Sequence, residues 1–158
     1  MAKSGYGKVQ IGLHWAAAAL IVGNYFISEG MGDALDARAA GTAFAGLTPT
    51  YHVWAGMTLL ALVLLRLVIR LVQGTPEQID KGLAGLAAAT VHWLLYGLMI
   101  AVPCLGIAAW FFGIDAAGDL HVLAMNTMMV LMLGHAAVAI FHHFVLRDGL
   151  LSRMTPLR

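Results

Sequence analysis

The sequence predicts an all-α membrane protein, a bundle of four transmembrane helices with both termini on the cytoplasmic side. Three observations carry this prediction. The chain has 158 residues, of which 61% are hydrophobic and only 11% charged, and its mean hydropathy of +0.84 is typical of membrane proteins. Its charges leave four uncharged stretches that are each long enough to cross a bilayer. Lys and Arg side chains concentrate on one side of these stretches.

The four spans belong to one predicted domain, residues 1–158, and are expected at residues 9–28, 51–73, 84–112 and 120–146. Gly41, Gly46 and Pro49 favour a loop before the second span, so its helix is expected to begin near Tyr51. Pro103 lies inside the third span and predicts a kink there.

Basic side chains set the predicted orientation, because cytoplasmic loops of membrane proteins carry an excess of Lys and Arg. Arg38 is expected on the outer side. The other eight fall on the opposite side of the bundle: Lys3, Lys8, Arg66, Arg70, Lys81, Arg147, Arg153 and Arg158. Both termini are therefore predicted to be cytoplasmic. A net charge of +1 without a basic stretch argues against nucleic acid as a partner.

Histidines inside the spans are the main candidates for a functional site, because ionisable groups within a membrane are costly. His121 and His135 lie 14 residues apart in the fourth span, so they share a helix face at levels about 21 Å apart. In the predicted orientation, His52 matches the outer level of His121, and His14 matches the inner level of His135. This arrangement suits two haems, each held by histidines from two helices.

Alternatives to this arrangement stay open at the level of sequence. Histidines of a membrane bundle also form hydrogen bonds between helices, and His92 in the third span competes with His14 or His135 as an inner ligand. No carboxylate lies within a span, and no His/Glu pair has the i, i+4 spacing there, which argues against metal sites other than haem. Bis-histidine ligation leaves iron no open position and favours electron transfer over oxygen binding.

Further polar side chains extend the inner site. Arg66 lies 14 residues after His52 and is expected to bind a haem propionate at the inner level. Arg70, one turn further, is expected to bind a propionate or lipid headgroups. His142 shares a face with His135 at the cytoplasmic boundary, where an imidazole could exchange protons with a quinone. His143 points about 100° away and is expected to contact headgroups.

Several motifs are distinctive: Ile11-Gly-Leu-His14-Trp15, His52-Val-Trp-Ala-Gly56, Val63-Leu-Leu-Arg66-Leu-Val-Ile-Arg70, Gly134-His135-Ala-Ala, and the segment from His142-His143 through Arg147-Asp148 to Leu151-Ser-Arg153-Met154-Thr-Pro156. In these motifs nearly the whole chain resembles bacterial cytochrome b561. That family comprises small four-helix dihaem cytochromes related to the cytochrome b subunits of nickel hydrogenases and formate dehydrogenases.

The resemblance implies two haem b groups with axial ligands at His14, His52, His121 and His135, and a quinone site at His142. It implies a multi-pass protein of the bacterial inner membrane, with the lipid bilayer and the quinone pool as partners. The best-defined activity of the family is superoxide oxidation, in which an electron passes from the outer haem inward to ubiquinone.

An anionic donor such as superoxide would be attracted by positively charged outer loops, but the outer loops of this chain are negatively charged. They carry five acidic side chains against Arg38 alone, a formal net charge of −4, which repels superoxide and favours another small outer-side redox partner. The expected function is that of an oxidoreductase that transfers electrons between the quinone pool and an outer-side donor or acceptor. Superoxide oxidation coupled to ubiquinone reduction stays one candidate form of it. The alternative function is a non-enzymatic, haem-bearing membrane anchor that relays electrons for a partner dehydrogenase or hydrogenase.

Overall fold

The computed structural model describes residues 5–76 and 82–155. Its helices are α1 (Lys8–Phe26), α2 (Met31–Ala39), α3 (Thr48–Gln73), α4 (Gly82–Phe112) and α5 (Asp115–Phe141), followed by a π-helical turn, His142–Leu146, and a 3-10 turn, Leu151–Met154. Four of them (α1, α3, α4, and α5 with its π-helical turn) are long and apolar enough to cross a membrane. The predicted all-helical bundle with four apolar spans is therefore confirmed.

The long helices pack in two pairs, α4 with α5 and α1 with α3, and α3 also packs against α4. The link between α4 and α5 is only Gly113 and Ile114, and Gly113 adopts a φ of 65° that favours glycine. A core forms where the helices meet and includes Ile21, Val63 and Met128. Many large apolar side chains on the outer faces stay exposed, as expected for surfaces that lie against lipid.

The two helix starts that differ most from the expected spans are those of α3 and α5. The third helix of the chain begins at Thr48 rather than near Tyr51, because Pro49 occupies its first turn, where a proline removes no helical hydrogen bond. The last begins at Asp115, five residues before the expected start, and an acidic residue in the first turn is favoured by the helix dipole. Pro103 lies inside α4, which continues past it to Phe112.

The short helix α2 was not predicted. Gly30 begins it in the left-handed conformation, with φ of 80°. Arg38, near its end, donates from Nε to the Trp110 carbonyl oxygen at 2.8 Å and lies 4.9 Å from the centre of the Trp110 ring. These contacts tie α2 to the end of α4. Three of the basic residues used for the orientation, namely Lys3, Lys81 and Arg158, lie outside the described residues, as does Pro156 of the last motif.

Candidate functional site

The predicted outer pair of histidines comes together between α3 and α5. The ring centroids of His52 and His121 lie 6.0 Å apart, with an angle of 71° between the ring planes. Both side chains line a cavity of about 720 Å³. A cavity of this volume is within the range that holds cofactors and other small molecules.

Contacts with α4 fix the orientation of His121. Its Nδ1 lies 2.8 Å from the carbonyl oxygen of Val102. A Cβ atom at Gly106 would lie 3.1 Å from Nδ1 and 3.2 Å from Cε1, so the imidazole packs closely against this glycine and a side chain here would press on the ring. An Nδ1–H group that donates to a carbonyl leaves Nε2 as the metal-binding nitrogen, which is the usual arrangement of a metal-ligating histidine.

Two buried polar atoms near His52 lack partners. Within the described part of the chain, neither Nδ1 of His52 nor Oδ1 of Asn24 has a hydrogen-bond partner. The amide nitrogen of Asn24 donates to the His52 carbonyl oxygen at 3.2 Å. Buried polar atoms without partners are rare in native proteins and call for a ligand or ion. The outer site thus fits a cofactor that His52 and His121 bind together.

The inner site is a cluster of three imidazoles, contributed by α1, α4 and α5. His14 and His135, the predicted pair, have ring centroids 6.4 Å apart. His92 lies closer, with its centroid 5.1 Å from that of His135. Its Nδ1 is 2.6 Å from the carbonyl oxygen of Ala88, one turn earlier on the same helix. The structure therefore brings the predicted inner pair together and adds His92 to it.

The two predicted propionate partners lie on α3, near aromatic side chains. Arg66 donates from Nη1 to the Gln10 carbonyl oxygen and from Nε to the Tyr96 hydroxyl, both at 2.9 Å. The guanidinium of Arg70 lies 5.8 Å from the ring centre of Trp93 and 5.6 Å from that of Tyr96. A guanidinium has five N–H donors, and the two bonds of Arg66 engage only two of them.

At the C-terminal end of the last span, His142 is buried and has an acidic partner that the sequence did not indicate. Its Nδ1 lies 2.5 Å from Oδ2 of Asp148. His143 is exposed and stacks edge-on against Phe144, with ring centroids 4.7 Å apart. The six-residue spacing would place His142 and Asp148 on different faces of a regular α-helix. The two side chains meet because the α-helix ends at Phe141, a π-helical turn follows it, and Arg147 is left-handed.

Each site contains a predicted pair of histidines, and His92 lies beside the inner pair. Within residues 5–76 and 82–155, no group of three or more His, Cys, Asp or Glu side chains is arranged to hold a metal ion. A cofactor that brings its own equatorial ligands, as haem does, needs only two axial side chains from the protein. The residues present fit that requirement at both levels.

Comparison with known proteins shows the family of the chain. A family model described as prokaryotic cytochrome b561 matches residues 5–157. The chain is 44% identical to cytochrome b562 of Cereibacter sphaeroides over 154 residues, which covers 95% of this chain and 94% of that protein. It is 31% identical to the probable superoxide oxidase CybB of Yersinia pestis over 175 positions, covering 96% of each chain.

A further relative is cytochrome b561 homolog 1 of Escherichia coli strain K12, 28% identical over 176 positions, with 97% of this chain and 98% of that protein covered. No solved structure matches the chain significantly. The matches identify a multi-pass bacterial membrane cytochrome b that takes part in electron transfer. The chain belongs to the prokaryotic cytochrome b561 family.

Proposed function

We propose that the chain is a dihaem cytochrome of the bacterial inner membrane that transfers electrons between an outer-side donor and ubiquinone on the cytoplasmic side. The observation that carries the proposal is the pairing of imidazoles at two levels of α5. His52 meets His121 at one level, with centroids 6.0 Å apart, and His14 meets His135 at the other, with centroids 6.4 Å apart.

These separations suit axial ligands of iron. A metal–imidazole bond is about 2 Å long and each ring centre lies about 1 Å behind its nitrogen, so two rings facing each other across one iron have centroids about 6 Å apart. Both proposed pairs are close to this value. His92 and His135 at 5.1 Å are too close together for it, which supports His14 rather than His92 as the inner partner of His135.

When bound, haem supplies one-electron redox chemistry at each level. The four histidines would hold it. Arg66 and Arg70 would supply positive charge near the inner cluster and would pair with propionates there. His121 is kept in its ligating orientation by the Val102 carbonyl.

The distribution of basic residues supports the proposed sidedness. An even number of spans places both termini on one membrane side, the side that carries all Lys and Arg except Arg38. The inner histidines and His142 then lie towards the cytoplasm, and the outer cavity opens towards the periplasm.

The acidic side chains around the outer cavity favour a neutral or cationic electron donor. Glu29, Asp36, Asp115 and Asp119 all line the cavity. Arg38, the outer basic residue, is held on Trp110 by a hydrogen bond and a cation–π contact. Superoxide is the second candidate donor, favoured by the name of the Yersinia pestis relative, and an acidic rim slows its approach.

The quinone side of the proposal is tested at His142. We expect His142→Ala to slow haem reduction by ubiquinol in stopped-flow experiments and to leave reduction by an outer-side donor unchanged, because a buried imidazole at this boundary exchanges the protons of quinone chemistry. The matched control is His143→Ala, which removes the exposed neighbouring imidazole and leaves both rates as in the wild type. Slower outer-side reduction with normal quinol kinetics would reverse the assigned sides.

The donor side is tested by neutralising the rim. We expect Asp115→Asn combined with Asp119→Asn to raise the rate of haem reduction by superoxide roughly tenfold at low salt, because two repelling charges are removed from the cavity mouth. The gain should shrink as salt rises. Asp33→Asn is the control, since Asp33 lies on α2 but does not line the cavity. An equal gain in the control, or none in the double variant, would contradict steering by the rim.

A further inference from the structure

The chain reverses direction after α5 and brings an acidic side chain beside His142. The π-helical turn His142–Leu146 follows α5, and Arg147 then adopts the left-handed conformation, with φ of 53°. This conformation is uncommon for residues that carry a side chain, and π-helical turns often accompany functional sites. As a result, Oδ2 of Asp148 reaches Nδ1 of His142 at 2.5 Å.

The Asp148 carboxylate is held in place from its other side as well. The backbone N–H of Leu150 donates to Oδ1 at 2.9 Å, so each carboxylate oxygen has its own partner. The Leu150 N–H and the His142 imidazole hold the pKa of the Asp148 carboxyl below its usual value. The segment is anchored to α1, because the Trp15 indole donates to the Met154 carbonyl oxygen at 2.8 Å.

His142 is less exposed than Asp148, as expected for a pair that passes protons between the membrane and water. His142 keeps 11% of its side-chain surface exposed, whereas Asp148 keeps 22%. His142 directly follows the last α-helical residue of the fourth span, and Asp148 lies beyond that span. The pair therefore connects the edge of the apolar bundle with the aqueous side.

We propose that Asp148 is a positioning residue that orients His142 for proton transfer to quinone on the cytoplasmic side. This inference rests on the quinone site proposed above. A carboxylate that accepts the Nδ1–H fixes the tautomer of the imidazole, so that Nε2 is the nitrogen that gives or takes the proton.

The reaction balances without any further reactant. One quinone takes two electrons from the outer-side donor and two protons from the cytoplasmic side and becomes one quinol. As an O–H bond forms on a quinone oxygen, the Nε2–H bond of protonated His142 breaks, and cytoplasmic water returns a proton to Nε2. Asp148 remains ionised throughout and touches neither the quinone nor the electrons.

The test measures steady-state quinone reduction in the full-length, haem-loaded protein. We expect Asp148→Asn to lower kcat roughly 10- to 100-fold, because the isosteric amide lacks the charge and presents an N–H₂ group that favours the wrong tautomer. KM for the quinone and the haem content should stay at wild-type values. Asp148→Glu should restore part of the rate, and Asp33→Asn, on the opposite side, should be neutral.

A second readout is independent of turnover. Nitrogen NMR of wild-type protein with labelled histidine should show the neutral His142 ring protonated on Nδ1, and Asp148→Asn should shift it towards the Nε2–H tautomer. An Nε2–H tautomer in the wild type overturns the inference, as does a higher KM with unchanged kcat. If Asp148→Asn has a normal kcat while His142→Ala slows the quinol kinetics, the proposed role of Asp148 is refuted and the quinone site is not. Normal kinetics in His142→Ala refutes the quinone site itself.

Discussion

Replacing either His52 or His121 with alanine is expected to remove the same single haem, so that the haem content falls from about two to about one per chain. The two imidazoles lie 6.0 Å apart in one cavity, on different helices. Loss of either axial ligand leaves the other with no partner at that level. Absorbance of the extracted haem, divided by the protein concentration, gives the number of haems per chain. Redox titration shows whether the haem that remains has the same midpoint potential in both variants.

A gentler substitution checks the same site without removing a ligand. Gly106→Val should weaken or displace the outer haem, because even the first atom of a side chain at this position would lie 3.1 Å from the His121 ring. Gly97→Val is the matched control on the same helix, since a Cβ atom at Gly97 would meet nothing within 4 Å. If the His52 and His121 variants keep different haems, the proposed pairing is wrong.

Replacing His14 with alanine is expected to remove the inner haem, whereas His92→Ala should retain both haems. The reason is distance. The 6.4 Å between the centroids of His14 and His135 leaves room for iron and two axial bonds, and the 5.1 Å between His92 and His135 does not. His92 then lies beside the ligand pair, and its loss should shift the inner midpoint potential without changing the haem content.

Haem content, midpoint potentials and low-temperature spectra of His14→Ala and His92→Ala decide which of these two histidines is the inner ligand. His135→Ala serves as the positive control, because His135 belongs to the inner pair in either assignment. One remaining haem in His92→Ala combined with two in His14→Ala would make His92 the axial ligand and exclude His14 from that role.

Features that depend on helix periodicity and hydropathy could be predicted from the sequence. The four apolar spans follow from composition, and the levels of His121 and His135 follow from a 14-residue spacing on one helix. Such properties are local, because a regular helix fixes rise and rotation per residue. To predict that His52 lies near His121, one further assumption was needed, namely that the two residues lie at the same depth in the membrane.

Features that depend on contacts between distant segments could not be predicted. Helix α2 is short and weakly apolar, and its position depends on the contact of Arg38 with Trp110. The partnership of His142 with Asp148 requires a π-helical turn and a left-handed Arg147, neither of which has a sequence pattern. The position of His92 next to His135 stayed undecided because it depends on how deeply α4 lies beside α5.

The pairing of the long helices also bears on the order of biosynthesis. Under the proposed ligation, the α1–α3 pair supplies His14 and His52, and the last span supplies both other ligands. The ribosome delivers the chain from its N-terminus, so neither iron can gain its second histidine before α5 has emerged. Cofactor capture is then the closing step of membrane assembly, and a nascent chain that stops before α5 cannot hold a six-coordinate haem at either level.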